Sequence, residues 1–460
     1  MEKLTLEEII TAVSGEIVKK GKAASYENIS TDTRTIKPGS VFIALKGDNF
    51  NGNEYADEAS NKGAFLCIID ELKCNVEAFN KETVVIKVND SKVALNELAK
   101  YYRSRLNIKV IGITGSTGKT STKDLVAAVL SSRYKVFKTK GNFNNEIGLP
   151  LMIFNLDKSY DAAVLEMGMS NLGEIHRLAD TARPDIAIIT NIGVSHIEYL
   201  KTRENILKAK LEITDFFNKE NTLIINSDND LLHTIDSESF NLVKIGMDSE
   251  STDYRAEQLA LMDDSIKFKV MNKAGVLSPE FNVNIPGKHN ILNSLLAIAC
   301  GRELGLSYEE MIDSIRSLEF TSMRLDIVKG SQFTIIDDCY NASPDSMKAA
   351  IDVLMNVQGL RKVAVLGTMK ELGEESYKLH KDIGQYAEEK AVDMLITVGE
   401  YSKAYLDGFM HRDRFKAFID NEEANAFLEK LTAKEDVILV KASRSMKFES
   451  IVNKLKSKMS

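Results

Sequence analysis

The stretch Ile111-Gly112-Ile113-Thr114-Gly115-Ser116-Thr117-Gly118-Lys119-Thr120 decides the fold. Before it, the run Ile108, Val110 and Ile111 reads as a buried strand. After it, Ser121 to Leu130 reads as a helix with Leu125, Val126, Val129 and Leu130 on one side. A strand, a Gly-rich turn and a helix N-terminus together make an anion site, because backbone N–H groups of the turn and of the first helical turn point at one place. Glycines let the backbone come close to the anion. Lys119 adds a full positive charge suited to β- and γ-phosphates, and the Thr120 hydroxyl suits Mg²⁺. The spacing is G-x-T-G-x-x-G-K-T, with Ile113 where the generic phosphate loop has Gly. The alternative is a Gly-rich turn without a ligand. The phosphate reading makes Thr114, Gly115, Ser116, Thr117, Gly118, Lys119, Thr120 and Ser121 the candidate nucleotide site.

Around this loop the chain has 460 residues, room for about three domains. Its net charge of −8 argues against a general nucleic-acid-binding role, so anionic ligands need local basic sites. Four cysteines, Cys67, Cys74, Cys300 and Cys339, show no CxxC spacing, which suits a reducing cytoplasm better than a zinc site or a disulfide framework. The start, Met-Glu-Lys-Leu-Thr-Leu-Glu-Glu, lacks the basic and apolar pattern of a signal peptide, and no apolar run is long enough to span a membrane. A cytoplasmic monomer with no nucleic-acid partner is the expectation.

The pattern predicts an α/β chain of three units. The first, residues 1–88, is a small α/β unit with a helix from Leu4 to Val13, capped by Thr5 with Glu8 three residues on. Its strands are Gly39–Leu45, Ala64–Ile69 and Thr83–Val88, and a helix near Tyr55–Lys62 separates two of them. Ser30-Thr31-Asp32-Thr33-Arg34 lies between structured segments, and Asp32 with Arg34 also fits a surface ion pair. Lys46 sits where a strand ends, a common place for ligand contact in open sheets.

The second unit, residues 89–319, starts with a helix over Lys92–Leu106 and then alternates strands and helices, as a parallel sheet with crossover helices does. Lys140 to Pro150 is an Asn-rich loop before a helix; Asn142, Asn144 and Asn145 fit either turn chemistry or hydrogen bonds to a polar substrate. An apolar strand from Asp161 ends in Glu166. Strand ends face the ligand crevice in open α/β sheets, so Glu166 can share Mg²⁺ with Thr120. The strand from Pro184 runs out through Asn191 and Gly193 to His196, which is either structural or a ligand. Lys208 and Lys210 lie on a helix with Glu212, a pattern that by itself reads as a solvated face. Asn290 and Asn293 are three apart, share a helix face, and can pair with the edge of a base.

The third unit, residues 320–460, opens with Met323-Arg324. A strand over Phe333–Asp337 leads into Asp338-Cys-Tyr340-Asn341-Ala-Ser-Pro344-Asp-Ser346-Met, where Pro344 opens a helix capped by Ser343. Lys362–Gly367, Met394–Val398 and Asp436–Lys441 read as further parallel strands with polar groups at their ends. This unit is Rossmann-like, and the central one is of the phosphate-loop parallel-sheet type.

Taken in order, G-x-T-G-x-x-G-K-T, Glu166, His196, Gly287-Lys-His-Asn290 and the Arg324/Asp338 pair resemble the Mur ligase superfamily over essentially the whole chain. These are ATP-dependent amide-forming ligases of peptidoglycan precursor synthesis. Asn142-Phe-Asn-Asn-Glu-Ile-Gly-Leu-Pro150, Asp338 to Met347 and Met369-Lys-Glu-Leu-Gly373 resemble the branch that joins D-alanyl-D-alanine to UDP-N-acetylmuramoyl-tripeptide. The branch adding the third residue has a Tyr-Ala-His type sequence, and folylpolyglutamate synthases an Ala-His-Asn-Pro type sequence, where Tyr340-Asn341-Ala342 stands here. The alternatives are another amide ligase of the superfamily with a different amine, or a phosphate-loop nucleotide switch that ligates nothing.

The resemblance implies roles for single residues. Lys119 and the loop amides match the ATP phosphate cradle; Thr120 and Glu166 match Mg²⁺ ligands, and His196 a ligand of a second Mg²⁺. Lys210 matches a lysine carbamylated in relatives, where the carbamate turns a cation into an acid. Asn290 and Asn293 match adenine contacts. Arg324 and Asp338 match groups of the third unit that close on the nucleotide. Ser30, Asp32, Arg34 and Lys46 fall in the region holding the UDP end of the substrate. Asn142, Asn144, Asn145 and Glu146 match substrate-peptide contacts, and Tyr340, Asn341 and Ser346 lie in the remaining substrate-side motif. Three departures stand out: Thr368 where relatives commonly have Asp, Ala442 where they have Gly, and Asn51-Gly-Asn53 where they often have Asp-Gly-His.

Overall fold

The computed structural model describes residues 1–22, 25–249 and 251–459. Three main sheets follow one another along the chain, beside two small two-stranded ones. The first has five strands in the order Glu16–Lys19, Val84–Lys87, Ala64–Ile69, Ser40–Ile43, Ile29–Ser30, with only the first pair antiparallel. The helix Leu6–Val13 begins as expected: Thr5 and Glu8 form a reciprocal capping box that satisfies two otherwise orphaned amides. The helix Ser91–Ser104 packs on Leu6–Val13 on one side and on the helices Gly148–Ile153 and Glu174–Ala182 on the other, so one core runs from the first sheet into the second.

The central sheet has nine strands, in the order Val136–Lys138, Ala162–Glu166, Lys109–Thr114, Ile186–Ile189, Thr222–Asn226, Asn241–Gly246, Tyr254–Leu261, Ile266–Asn272, Phe281–Val283. The first seven are parallel. Most of the strands near the phosphate loop are apolar and buried along their whole length, as strands covered by helices on both faces must be. The expected alternation stops at residue 254. Tyr254 to Val283 forms an antiparallel meander, because its connections are turns too short to hold a crossover helix.

The third sheet runs Asp326–Lys329, Thr334–Asp337, Asp436–Lys441, Arg361–Gly367, Met394–Val398, Phe415–Phe418, antiparallel only in its first pair. Asp326–Lys329 has no sequence signal of its own; its residues are mixed and half exposed. In both larger sheets the strand that carries the chemistry lies inside. Lys109–Thr114 sits between Ala162–Glu166 and Ile186–Ile189, and Asp436–Lys441 between Thr334–Asp337 and Arg361–Gly367. Their C-terminal ends open on the same space.

Candidate active site

The helix Lys119–Ser131 starts directly at the end of Lys109–Thr114, through Gly115 to Gly118. Gly115 has φ +150°, and a Cβ there would fall 1.8 Å from Thr190 Oγ1. The loop is held from behind by the segment after Ile186–Ile189. Thr117 N donates to Asn191 Oδ1 at 2.8 Å, Asn191 Nδ2 donates to Thr117 Oγ1 at 2.9 Å, and Gly193 N donates to Ser116 Oγ at 2.9 Å. Thr122 is the first amide of the helix to find an intrahelical acceptor, Gly118 O. The amides of Lys119, Thr120 and Ser121 keep no protein acceptor among the described residues, which leaves a positive helix end facing the cleft.

Lys119 Nζ donates to Gly115 O at 2.8 Å. Burial lowers its pKa, and Arg324 adds to the lowering while Glu166 and Glu371 oppose it. Thr120 Oγ1 donates to Glu166 Oε2 at 2.9 Å, and Asn144 Nδ2 donates to Glu166 Oε1 at 2.9 Å. The sheet register therefore brings together the hydroxyl and the carboxylate that the sequence proposed as partners. Asn145 uses its side chain on the amides of Ile147 and Gly148, which is turn chemistry. Glu146 is held by Lys92 at 2.5 Å and by Arg177, and the structure does not bring it into the cleft. Asn142 is exposed at the cleft margin.

The cleft, about 600 Å³, is lined by the central and third units together. From the third unit come Arg324, Asp338, Tyr340, Asn341 and Ser346. The Arg324 guanidinium lies 4.3 Å over the Tyr340 ring, a cation–π contact that orients it. Its Nε is buried without a hydrogen-bond partner among the described residues, an orphaned cationic donor beside the phosphate loop. Asp338 accepts from Leu325 N at 3.3 Å and pairs with Lys441 Nζ at 2.5 Å; its pKa is raised, because burial outweighs the charges of Lys441 and Arg324. Ser346 is committed to the helix Pro344–Asn356, its Oγ accepting from Ser343 N at 2.9 Å. Asn341 Oδ1 accepts from Ala342 N at 2.9 Å.

Asn290 and Asn293 are buried side by side on the helix His289–Glu303, as their spacing predicted. Asn293 Nδ2 donates to Asn290 Oδ1 at 2.9 Å, and Asn290 Nδ2 donates to Pro286 O at 2.7 Å. His196 Nδ1 lies 2.6 Å from Glu371 Oε2 of the third unit, and His196 holds that carboxyl below the usual range. Both residues have left-handed backbones, φ 65° and 64°, so the contact is built by two strained turns. His380 supports the second turn: its Nε2 accepts from Met369 N at 2.9 Å, and burial pushes its pKa down to about 4, so the ring stays neutral.

Lys210 departs from the solvated-face pattern. Lys208 is exposed, but Lys210 is 1% exposed on the helix Arg203–Leu211, and its amine makes no hydrogen bond or ion pair among the described residues. Burial and then the charge of Lys119 hold its pKa well below that of an ordinary lysine. It does not line the cleft itself. Thr114 and Gly115 form the back of the loop and also do not line it. Ser30, Asp32, Arg34 and Lys46 belong to the first unit and are not brought to this cleft. Asp32 and Arg34 do form the exposed ion pair, at 2.7 Å, and Lys46 meets Glu71 at 2.8 Å and Asp70 at 3.3 Å.

Among the cleft residues that the sequence reading did not name as site residues are Asn191, Glu371 and Lys441. Lys441 is the last residue of a buried strand and Asn191 lies just past the end of another, so the rule that found Glu166 applies to both. Glu371 lies four residues beyond its strand and reaches the site through the turn, which strand ends alone do not predict.

Comparison with known proteins agrees with this arrangement. The Mur ligase family, catalytic domain, matches residues 25–103; the Mur ligase middle domain matches 113–301; and the Mur ligase, glutamate ligase domain, matches 323–444. The UDP-N-acetylmuramoyl-tripeptide--D-alanyl-D-alanine ligase of Bacillus subtilis (strain 168) is 37% identical over 99% of each chain, and that of Escherichia coli (strain K12) is 31% identical over 99% of each. Among solved structures, MurF from Acinetobacter baumannii aligns with a TM-score of 0.92 at 30% identity, covering 100% of both chains. MurF ligase from Thermotoga maritima in complex with ADP aligns with a TM-score of 0.84 at 28% identity, over 94% of this chain and 98% of that one. The three Mur ligase domains thus follow one another along this chain, and the chain belongs to the Mur ligase family.

Proposed function

We propose that this enzyme joins D-alanyl-D-alanine to UDP-N-acetylmuramoyl-tripeptide with ATP, through an acyl phosphate, in peptidoglycan precursor synthesis. The observation that carries this reading is the two-sided cleft: Lys119 and free helix amides on one wall, and the unpartnered Arg324 Nε on the other. Full-length similarity to ligases bearing that activity supports the choice of substrates. On this reading residues 1–88 hold the UDP end, 89–319 bind ATP, and 320–460 close over it.

A carboxylate is a poor electrophile, since its oxyanion does not leave. Transfer of the γ-phosphoryl group of ATP to it creates a leaving group. Lys119, the helix amides and Arg324 are the chain's own means of holding that charge in line. The free amine of the dipeptide then attacks the acyl carbon, and phosphate departs. Water must be kept out, and closure of the third unit does so. The donor chemistry of Thr120 Oγ1 and Glu166 Oε2, hard oxygens 2.9 Å apart, fits Mg²⁺. Glu166 with Thr120, and His196 at a second position, would hold Mg²⁺, which supplies charge neutralisation on the phosphates. Among the described residues no cluster of three or more His, Cys, Asp or Glu could hold a metal ion by itself. Lys210, buried and disposed to be neutral, is suited to carbamylation. No helix among the described residues is long and apolar enough to cross a membrane.

Phosphate release measured with UDP-N-acetylmuramoyl-tripeptide, with and without D-alanyl-D-alanine, tests the reading. Release requiring both, with a product heavier by the dipeptide less water, is expected. Release with the tripeptide and a different amine would move the enzyme to another branch, and release indifferent to both would leave only a nucleotide switch.

A further inference from the structure

The central and third units are joined by residues 317–325, between the helix Tyr308–Arg316 and the strand Asp326–Lys329. One carboxylate grips the middle of this linker. Asp124, on the helix that begins at Lys119, is 1% exposed. Its Oδ2 accepts from Thr321 Oγ1 at 2.7 Å and from Thr321 N at 3.1 Å. Its Oδ1 accepts from Lys138 Nζ at 2.7 Å, and Lys123 Nζ lies 3.5 Å away. Beyond the grip the chain becomes strained: Met323 and Leu325 have φ 63° and 55°, and they flank Arg324. Met323 O and Leu325 N are tied to the third unit, through Tyr340 N at 3.3 Å and Asp338 Oδ1 at 3.3 Å. Between the grip and these ties stands only Ser322.

We propose that Asp124 is a positioning residue: by holding Thr321 against the phosphate-loop helix, it confines the pivot of the third unit to Ser322 and so delivers Arg324 to one place opposite Lys119. A free linker of nine residues would let Arg324 wander; a pivot this short aims it. Orientation of this kind governs rate more than affinity, since a small misplacement of a distant support changes the reacting geometry. The grip uses no residue of the cleft, and its kinetic consequence rests on the ligase reading above.

Thr321→Val removes the hydroxyl donor at an exposed position, Thr321→Ser keeps it, and Lys138→Met removes the other side-chain hydrogen-bond donor to Asp124 while leaving the linker grip. In Thr321→Val, hydrogen exchange across residues 318–325 is expected to speed up, with kcat down about tenfold and KM for the muramyl peptide unchanged. Thr321→Ser is expected to restore both, and Lys138→Met to leave kcat as in wild type. Wild-type exchange and wild-type kcat in Thr321→Val would overturn the proposal, as would a loss that Thr321→Ser does not restore or that Lys138→Met reproduces. If the wild-type chain makes no ligation product, the ligase reading fails, while the exchange comparison still decides whether Asp124 pins the linker.

Discussion

Lys119→Ala is expected to lower kcat by about 10²–10³-fold, the usual cost of losing one preorganised electrostatic group at a reacting centre. The reason is local. Lys119 is the cation at the start of the helix whose free amides face the cleft, and its ammonium is already held in place by Gly115 O. Removing it leaves only Arg324 and the helix amides against the charge that builds on the transferred phosphoryl group. The fold should tolerate the change, because the ammonium is partly desolvated and the helix keeps its packing. Steady-state kinetics with thermal unfolding checks both halves. Turnover near wild type would refute the cradle.

Lys210→Met should separate stability from activity. The lysine amine is buried with no acid partner among the described residues and sits in the field of Lys119, so the folded chain disfavours its protonation. Replacing a buried amine by an apolar side chain of similar length removes that penalty, and such exchanges are neutral or stabilising. Across the interval from the lowered folded pKa up to 10.5 the unfolded chain binds the extra proton. Wild-type stability therefore rises with pH over that interval, and the Met variant loses this slope. Activity moves the other way: if Lys210 serves as an acid beside the phosphates once carbamylated, kcat falls by about a hundredfold. Chemical denaturation at several pH values together with turnover checks the pair. A Met variant that is less stable and fully active would contradict both parts.

Much of this was readable from the chain because the decisive residues stand at the ends of apolar runs. The strand into Gly115, the carboxylate at Glu166 and the cap at Ser343 follow from hydrophobic patterning and turn chemistry, and the structure places each where expected. What stayed hidden has a physical cause in each case. Lys210 lies on a helix whose sequence reads as polar, and only tertiary packing buries it. Glu371 reaches His196 through a left-handed turn, which no strand or helix period signals. The meander from Tyr254 carries strand residues without showing their direction; the shortness of its turns decides that. Glu146 stands in an Asn-rich loop that suggested substrate contact, yet Lys92 and Arg177, distant in sequence, take its carboxylate. Asp32 and Arg34 illustrate the converse, since neighbours two apart found each other as a surface pair.

The central claim is that phosphate leaves with an oxygen taken from the acid substrate. The direct measurement uses UDP-N-acetylmuramoyl-tripeptide labelled with oxygen-18 in its terminal carboxylate, with ATP and D-alanyl-D-alanine, and the mass of the phosphate released. An acyl phosphate requires one labelled oxygen to pass into each phosphate and one to remain in the new amide. Unlabelled phosphate formed alongside the ligated product would contradict the acyl phosphate and the account of the cleft built on it.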